Sequence, residues 1–194
     1  MEAFRHPKFS SLHKELILGK FWKYVSESNK NYYAQILGAQ PEHAKAVDIK
    51  REFPIEWKSY KKFCIVRNPW DRMVSEYFWG GSRENRKSFD EFIADYSSAS
   101  QANGHHRNVY GWNFYTIDNV PVVDQIIRYE NLLEELPNAL AMMGIEWDGW
   151  LPLAKSTSRP RDRRDFRGFY SDHSVEAVRR LNRQEIDYFG YDFI

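Results

Sequence analysis

The sequence predicts an α/β fold in which a central parallel sheet is flanked by helices. Two short apolar runs rich in β-branched residues indicate buried strands, and each run is followed at once by the start signals of a helix. A strand followed by a helix, repeated along one chain, is typical of parallel strands joined by right-handed crossovers. The length of 194 residues is enough for one sizeable core, so we expect a single domain over residues 1–194.

The two predicted strands are Lys62–Val66 ("KFCIV") and Val122–Ile127 ("VVDQII"). After the first strand, Asn68 is placed to cap a helix that begins at Pro69. Proline suits the first helical position because the N–H that it lacks has no partner within the helix there. The sequence therefore predicts a direct passage from strand to helix at residues 67–69.

The predicted helices follow from capping residues and from apolar spacing. Asn131 and Glu134 form a capping-box pattern after the second strand. In the last helix, Val175, Val178 and Leu181 fall on one face. We expect helices at about Pro69–Trp79, Phe89–Tyr96, Leu132–Met143 and Ser174–Tyr188.

Arg67 and Arg128 stand where the two predicted strands end, and open α/β sheets bind ligands at this edge. A helix N-terminus attracts anions, and the fork of Arg67 matches two phosphate oxygens. The Ser75 hydroxyl is able to donate to the same group if the anion lies against the side of the helix. In the alternative interpretation, Arg67 pairs with Asp71 or Glu130, and Ser75 is a small packing residue.

Composition narrows the class of partner. Lys and Arg total 28 against 27 for Asp and Glu, a formal charge of +1, so we expect no nucleic-acid partner and a local anion site only. The single cysteine, Cys64, lies within an apolar run and is expected to be a buried thiol. No stretch approaches the roughly 20 apolar residues of a membrane span, and we expect a cytoplasmic protein.

The segment Val66–Phe78, "VRNPWDRMVSEYF", closely resembles the part of sulfotransferases that binds the 3′-phosphate of the donor, specifically in the family that includes carbohydrate sulfotransferases. Four later blocks resemble this family in order and approximate spacing. They are "SFDEFI" (Ser88–Ile93), "VDQIIRYENLLEEL" (Val123–Leu136), "LPLAKSTSR" (Leu151–Arg159) and "FYSDHSVEAVRRLNRQEIDYFGYDF" (Phe169–Phe193). Together the blocks cover most of the chain from about His43 onward.

The resemblance implies a P-loop nucleotide-kinase-like sulfotransferase fold and an activity. Members transfer a sulfuryl group from 3′-phosphoadenosine-5′-phosphosulfate to a hydroxyl acceptor, here expected to be a saccharide. By this resemblance Arg67 and Ser75 bind the 3′-phosphate. Ser156, Thr157 and Arg159 would approach the nucleotide end of the donor, although their basic segment also fits a solvated loop.

His43 is the candidate catalytic base. Transfer to a hydroxyl needs a group that takes its proton, and histidine is suited to this near neutral pH. Family members carry a histidine at a similar distance before the "RNP" block, which implies that His43 has this role. Its neighbour Glu42 is able to replace or orient it, and a structural or exposed histidine is the alternative.

The N-terminus departs from the family pattern. Members hold the 5′-phosphosulfate in a loop of Pro-Lys, small residues and Thr/Ser, whereas this chain has "FRHPKFSSLHKEL" at Phe4–Leu16, with a bulky phenylalanine and no glycine. Lys8 fits as a catalytic and donor-binding candidate. An ungapped alignment puts leucine and histidine where members have Thr-Ser, and a shift by two residues recovers Ser10 and Ser11 in a shorter loop.

Aromatic residues are the candidates for contacts with the acceptor. Aromatic faces can stack on sugar rings, but they also fill cores. The candidates lie between the recognised blocks and are Trp79, Trp112, Phe114 and Tyr115.

Three functions remain open from the sequence. The first is an active sulfotransferase, and the second is a relative that binds the nucleotide without turnover. The conformation of the loop Pro7–His13 separates these two. The third, a nucleotide kinase, is disfavoured because the chain has no G-x-x-x-x-G-K-[ST] pattern and no evident magnesium site. Sulfuryl transfer needs no metal to bridge phosphates, so we predict none.

Overall fold

The computed structural model describes residues 44–79, 87–103, 111–149 and 165–194. These residues belong to two compact units. The first unit contains residues 44–62 and 113–123, and the second contains the rest of the described residues. The single-domain interpretation concerns all 194 residues and stays a prediction.

The described residues contain both helices and strands. The helices are α1 (Ala46–Glu52), α2 (Pro54–Ser59), α3 (Pro69–Trp79), α4 (Phe89–Asn103), α5 (Leu132–Met142), α6 (Asp172–Leu181) and α7 (Arg183–Phe189). The strands are β1 (Phe63–Val66), β2 (Thr116–Ile117), β3 (Val120–Pro121) and β4 (Gln125–Arg128). None of the helices in this part of the chain is long and apolar enough to cross a bilayer.

The described part of the first unit contains α1, α2 and the antiparallel hairpin of β2 and β3. The hairpin turns through Asp118 and Asn119, whose φ angles are 51° and 62°. Two consecutive positive φ angles are typical of the type I′ turn, which matches the twist of a two-residue hairpin, and Asp and Asn tolerate this conformation better than most residues. The hairpin and α2 were not predicted from the sequence, and the family resemblance implied a helix after His43 without giving its bounds.

The second unit contains a parallel pair of strands flanked by helices, which confirms the predicted α/β class. Strand β1 pairs with β4 from Phe63 opposite Gln125 to Val66 opposite Arg128. Val66 and Ile127 are almost completely buried, as expected for strands that carry apolar residues on a covered face. The parallel register brings the carboxyl ends of both strands to the same edge of the sheet.

Helix α3 is held firmly by the core of the second unit. Trp70, Met73 and Val74 are buried on it and pack against buried residues of α4, α6 and α7. The indole N–H of Trp70 donates to the Val175 carbonyl at 3.1 Å, and the Tyr170 hydroxyl donates to the Trp70 carbonyl at 2.7 Å. The start of α3, where Arg67 lies, is therefore fixed by packing on one side.

Several predicted boundaries differ from the observed ones. Strand β4 begins at Gln125 rather than Val122, helix α4 continues to Asn103, and the expected last helix is divided at Asn182 into α6 and α7. The capping box at Asn131 was wrong, since its side chain accepts no capping hydrogen bond. Instead, the carboxylate of Glu135 accepts from the Asn131 amide at 3.0 Å and from the main-chain N–H of Arg128 at 2.6 Å.

Candidate functional site

The candidate site lies where β1 passes into α3, at the carboxyl edge of the parallel pair. Because Val66 is opposite Arg128 in the register, Arg67 and Tyr129 follow at the same edge. The Arg67 guanidinium carbon lies 4.3 Å from the centre of the Tyr129 ring. A guanidinium at this distance is attracted to the ring face, so Tyr129 supports Arg67 from one side. Sequence analysis missed Tyr129, although an aromatic residue directly after a strand-ending arginine was the available signal.

The N-terminus of α3 is capped by its own sequence. The Asn68 side-chain oxygen accepts from the N–H groups of Trp70 at 3.0 Å and Asp71 at 3.4 Å. Pro69 has no N–H, and the N–H of Arg72 donates to the Asn68 carbonyl at 2.9 Å. The first-turn N–H groups are thus engaged within the chain. The helix contributes its dipole to an anion, and the donors for one must come from side chains.

Arg67 pairs with Asp71, one of the two partners that the sequence left open. Its Nε donates to Asp71 Oδ2 at 2.7 Å, and Nη2 contacts the same oxygen. Both side chains keep about a fifth of their surface exposed, at 20% and 19%. Among the described residues Arg67 makes no further hydrogen bond, so the pair occupies one edge of the guanidinium and leaves Nη1 for a ligand.

Ser75 lies one helical turn beyond Asp71 on the same face of α3. Residues four apart on a helix are neighbours, with Cβ atoms about 6 Å apart. The Ser75 side chain is half-buried, and within the described ranges its hydroxyl has no hydrogen-bond partner. The face of α3 that carries the Arg67–Asp71 pair therefore also carries a hydroxyl that is able to bind a ligand.

Glu130 ties the strand-to-helix passage to the end of the chain. Its carboxylate accepts the main-chain N–H of Asn68 at 2.7 Å and the Tyr191 hydroxyl at 3.4 Å. The Asn68 side-chain amide donates to the Asp192 carbonyl at 3.1 Å. Burial, together with the negative charge of Glu130, raises the pKa of Tyr191 above its usual range, which keeps the phenol protonated as a donor.

Arg128, the other arginine at this edge, is engaged by contacts within the protein. Its Nη2 donates to the Phe189 carbonyl at 3.0 Å. The guanidinium also lies 5.7 Å from the ring centre of Phe189 and 5.5 Å from that of Tyr191. These contacts hold Arg128 against the C-terminal end of α7 and the residues after it, and they leave Arg67 as the arginine of the candidate site.

A buried ion pair fixes α3 to α7. Arg72 Nη2 lies 2.8 Å from Glu185 Oε2, and it also donates to the Asn182 side-chain oxygen at 2.8 Å. The Glu185 side chain is only 1% exposed. A Cβ atom at Gly111 would lie 3.1 Å from Glu185 Oε2 and 3.3 Å from Arg72 Nη2, so the absence of a side chain leaves room for the pair. Sequence analysis missed this pair because 113 positions separate its members, and nothing local marks it.

The aromatic residues that were candidates for acceptor binding have different environments. Trp112 and Tyr115 are buried, which favours the core interpretation. Phe114 is half-buried, and the side chain of Trp79 lies outside the described residues.

Most other predicted site residues cannot be placed. Seven of the candidates lie outside the described residues, namely Lys8, Ser10, Ser11, His43, Ser156, Thr157 and Arg159. Their roles stay predictions. Within the described ranges there is no group of three or more His, Cys, Asp or Glu side chains that could hold a metal ion.

An open cavity of about 360 Å³ lies away from the strand-to-helix passage, on the C-terminal part of α5. It is lined by Pro137, Ala141, Gly144, Ile145, Glu146 and Trp147. Its one charged lining residue is acidic, so the cavity does not suit an anionic donor and is separate from the candidate site.

Comparison with known proteins identifies a family. The family model described as "Sulfotransferase family" matches residues 18–192, which is most of the chain and includes the strand-to-helix passage with Arg67 and Ser75. No curated protein and no solved structure matches the chain.

Proposed function

The chain belongs to the sulfotransferase family, and on this basis we propose that it transfers a sulfuryl group from 3′-phosphoadenosine-5′-phosphosulfate to a hydroxyl of a saccharide. Family membership supports sulfuryl transfer in general. The donor and the class of acceptor are the proposed parts.

The observation that carries the proposal is the Nη1 edge of Arg67, which lies at the carboxyl edge of the sheet and makes no hydrogen bond within the described residues. Its guanidinium is held by Asp71 and Tyr129, and it retains Nη1 for an oxyanion. Ser75 adds a hydroxyl on the same helix face. A guanidinium and a hydroxyl together suit the 3′-phosphate of the donor, because charge-assisted hydrogen bonds to phosphate are shorter and stronger than neutral ones.

The proposed reaction balances without a metal. The acceptor oxygen attacks sulfur in line, the bond from sulfur to the bridging phosphate oxygen breaks, and adenosine 3′,5′-bisphosphate leaves with the bond electrons. His43, with Glu42 beside it, would take the acceptor proton. Lys8 and the serines Ser10 and Ser11 would stabilise charge on the departing phosphate.

The remaining donor contacts are also proposals. Ser156, Thr157 and Arg159 would bind the nucleotide end of the donor, as the family resemblance implies. A cytoplasmic location and the absence of a nucleic-acid partner stay predictions.

The function is tested by incubating the full chain with 3′-phosphoadenosine-5′-phosphosulfate and a panel of saccharides and small alcohols. Mass spectrometry then measures sulfated product and adenosine 3′,5′-bisphosphate in equal amounts if the proposal is correct. Binding of the donor without product would instead indicate a relative that holds the nucleotide without turnover. A magnesium-dependent transfer of phosphate would favour the kinase alternative.

A further inference from the structure

We propose that Asp71 is a positioning residue that makes the donor site selective for nucleotides with a 3′-phosphate. It does so by holding Arg67 with its outer edge toward the ligand. This inference rests on the proposed function, because it concerns the same site. Asp71 itself would not touch the nucleotide.

The geometry of the pair shows which edge is held. Nε and Nη2 of Arg67 both approach Oδ2 of Asp71, so the carboxylate takes the side edge of the guanidinium. The end edge, which carries Nη1, makes no hydrogen bond within the described residues. A guanidinium can bind two anions at once through its two edges, because it has five N–H donors in a rigid plane.

Two supports restrict the guanidinium in different directions. Asp71 restrains it within its plane, and the Tyr129 ring, 4.3 Å from the guanidinium carbon, supports its face. An arginine side chain has many rotamers, and a ligand that must order them loses affinity. Arg67 is ordered before a ligand arrives, so this cost is lowered.

Asp71 is itself firmly placed. It lies in the first turn of α3, where a carboxylate interacts favourably with the helix dipole. Asn68 caps the same turn, and Glu130 fixes the Asn68 main chain. The orientation of Arg67 therefore depends on a turn that is anchored at several points.

Because Asp71 is negatively charged, it cannot attract a phosphate itself, and its contribution to binding must come from orienting Arg67. A carboxylate beside an anion site repels the ligand. With the phosphate at the Nη1 edge, the positive guanidinium stands between the two negative groups. The carboxylate then orients the arginine without meeting the ligand directly.

The test compares Asp71→Ala with Asp71→Asn in the full chain. Calorimetry measures the affinities for adenosine 3′,5′-bisphosphate and for adenosine 5′-monophosphate, which lacks the group that Arg67 would bind. In Asp71→Ala we expect affinity for the bisphosphate to fall about 10-fold and affinity for the monophosphate to stay within about 2-fold, since only a charge-assisted contact is disturbed. Asp71→Asn should stay within about 3-fold of the unmodified protein for both ligands, because an amide oxygen accepts the same N–H.

Asp172→Ala is the matched control, since Asp172 is an exposed carboxylate in the first turn of α6. It should lose similar helix stabilisation in a thermal unfolding measurement and keep the affinity for the bisphosphate. Equal loss for both nucleotides in Asp71→Ala, or failure of Asp71→Asn to restore binding, would show a purely structural role and overturn the inference. Unchanged binding in Asp71→Ala would overturn this inference alone, whereas an unmodified protein that does not bind the bisphosphate would overturn the proposed function as well.

Discussion

The carboxylate of Glu130 accepts the main-chain N–H of Asn68 at 2.7 Å across 62 positions of the sequence. This hydrogen bond joins the turn after β4 to the turn after β1. The two turns that form the edge of the candidate site are therefore directly connected. The Tyr191 hydroxyl adds a second contact to the same carboxylate.

Replacing Glu130 with Ala should lower the free energy of unfolding by about 1.5 kcal/mol, the low end of the range for a hydrogen bond to a charged group, because the Glu130 side chain is exposed. Glu130→Gln should cost less, since one amide oxygen still accepts from Asn68. Urea denaturation of both variants measures the difference. Equal and negligible effects would show that the two turns are held together by other contacts.

Replacing only one member of the Arg72–Glu185 pair should lower the free energy of unfolding substantially. Glu185→Leu leaves a largely buried guanidinium without its carboxylate, and we expect a loss of about 3 kcal/mol in the free energy of unfolding. Arg72→Met should have a similar effect. The double variant should lose much less than the sum of the two, because neither charge is then buried alone. Strict additivity in denaturant titrations would show that the two side chains do not interact.

Cys64 should be unreactive in the folded protein. Burial, with a smaller contribution from the negative charge of Glu185, raises the pKa of its thiol from 9.0 to about 12. At pH 8 we expect alkylation by iodoacetamide at least about 100-fold slower than in urea-unfolded protein, because the thiolate is the reacting form. Cys64 is half-buried rather than fully buried, and similar rates in the two states would contradict the raised pKa of its thiol.

The same thiol predicts a pH dependence of stability. Because the pKa is higher in the folded state, the thiol has no effect below its ordinary value of 9.0, and folding is weakened as the pH rises from there toward about 12. Comparison with Cys64→Ala isolates this effect from the titration of other groups. The stability difference between the two proteins should change across this range, and a constant difference would be the contrary result.

His43→Ala should separate binding from chemistry. If His43 takes the acceptor proton, the variant keeps its affinity for adenosine 3′,5′-bisphosphate and loses turnover by a factor of about 10² or more. His173→Ala provides a control, since this histidine is exposed in the first turn of α6. Full turnover in His43→Ala would assign the base to another residue, with Glu42 next to be tested.

The sequence predicted those elements whose formation depends on residues next to one another in the chain. The apolar run before Arg67 and the Asn68-Pro69 start of α3 gave the strand and the helix almost at their observed boundaries, because a cap and a proline act on the adjacent turn. The division of the last helix at Asn182 was not predicted. Its side chain bonds to Arg72, a partner that is 110 positions away.

The residues of the site that lie in one sequence segment were predicted, whereas the contacts between distant segments were not. Arg67 and Ser75 were found from the segment that contains them, and Asp71 was one of two partners considered. The choice between Asp71 and Glu130 needed the structure, because Glu130 is engaged by the Asn68 main chain. Tyr129 reaches Arg67 only through the parallel register of β1 and β4, which no spacing along the chain reveals.

The central claim is that Arg67 binds the 3′-phosphate of the nucleotide, and calorimetry of Arg67→Ala with adenosine 3′,5′-bisphosphate tests it most directly. Loss of the charge-assisted contacts should weaken binding by about 2 kcal/mol or more, roughly a factor of 30. Affinity for adenosine 5′-monophosphate should be nearly unchanged. An Arg67→Ala variant that binds the bisphosphate as tightly as the unmodified protein would contradict the assignment of this site.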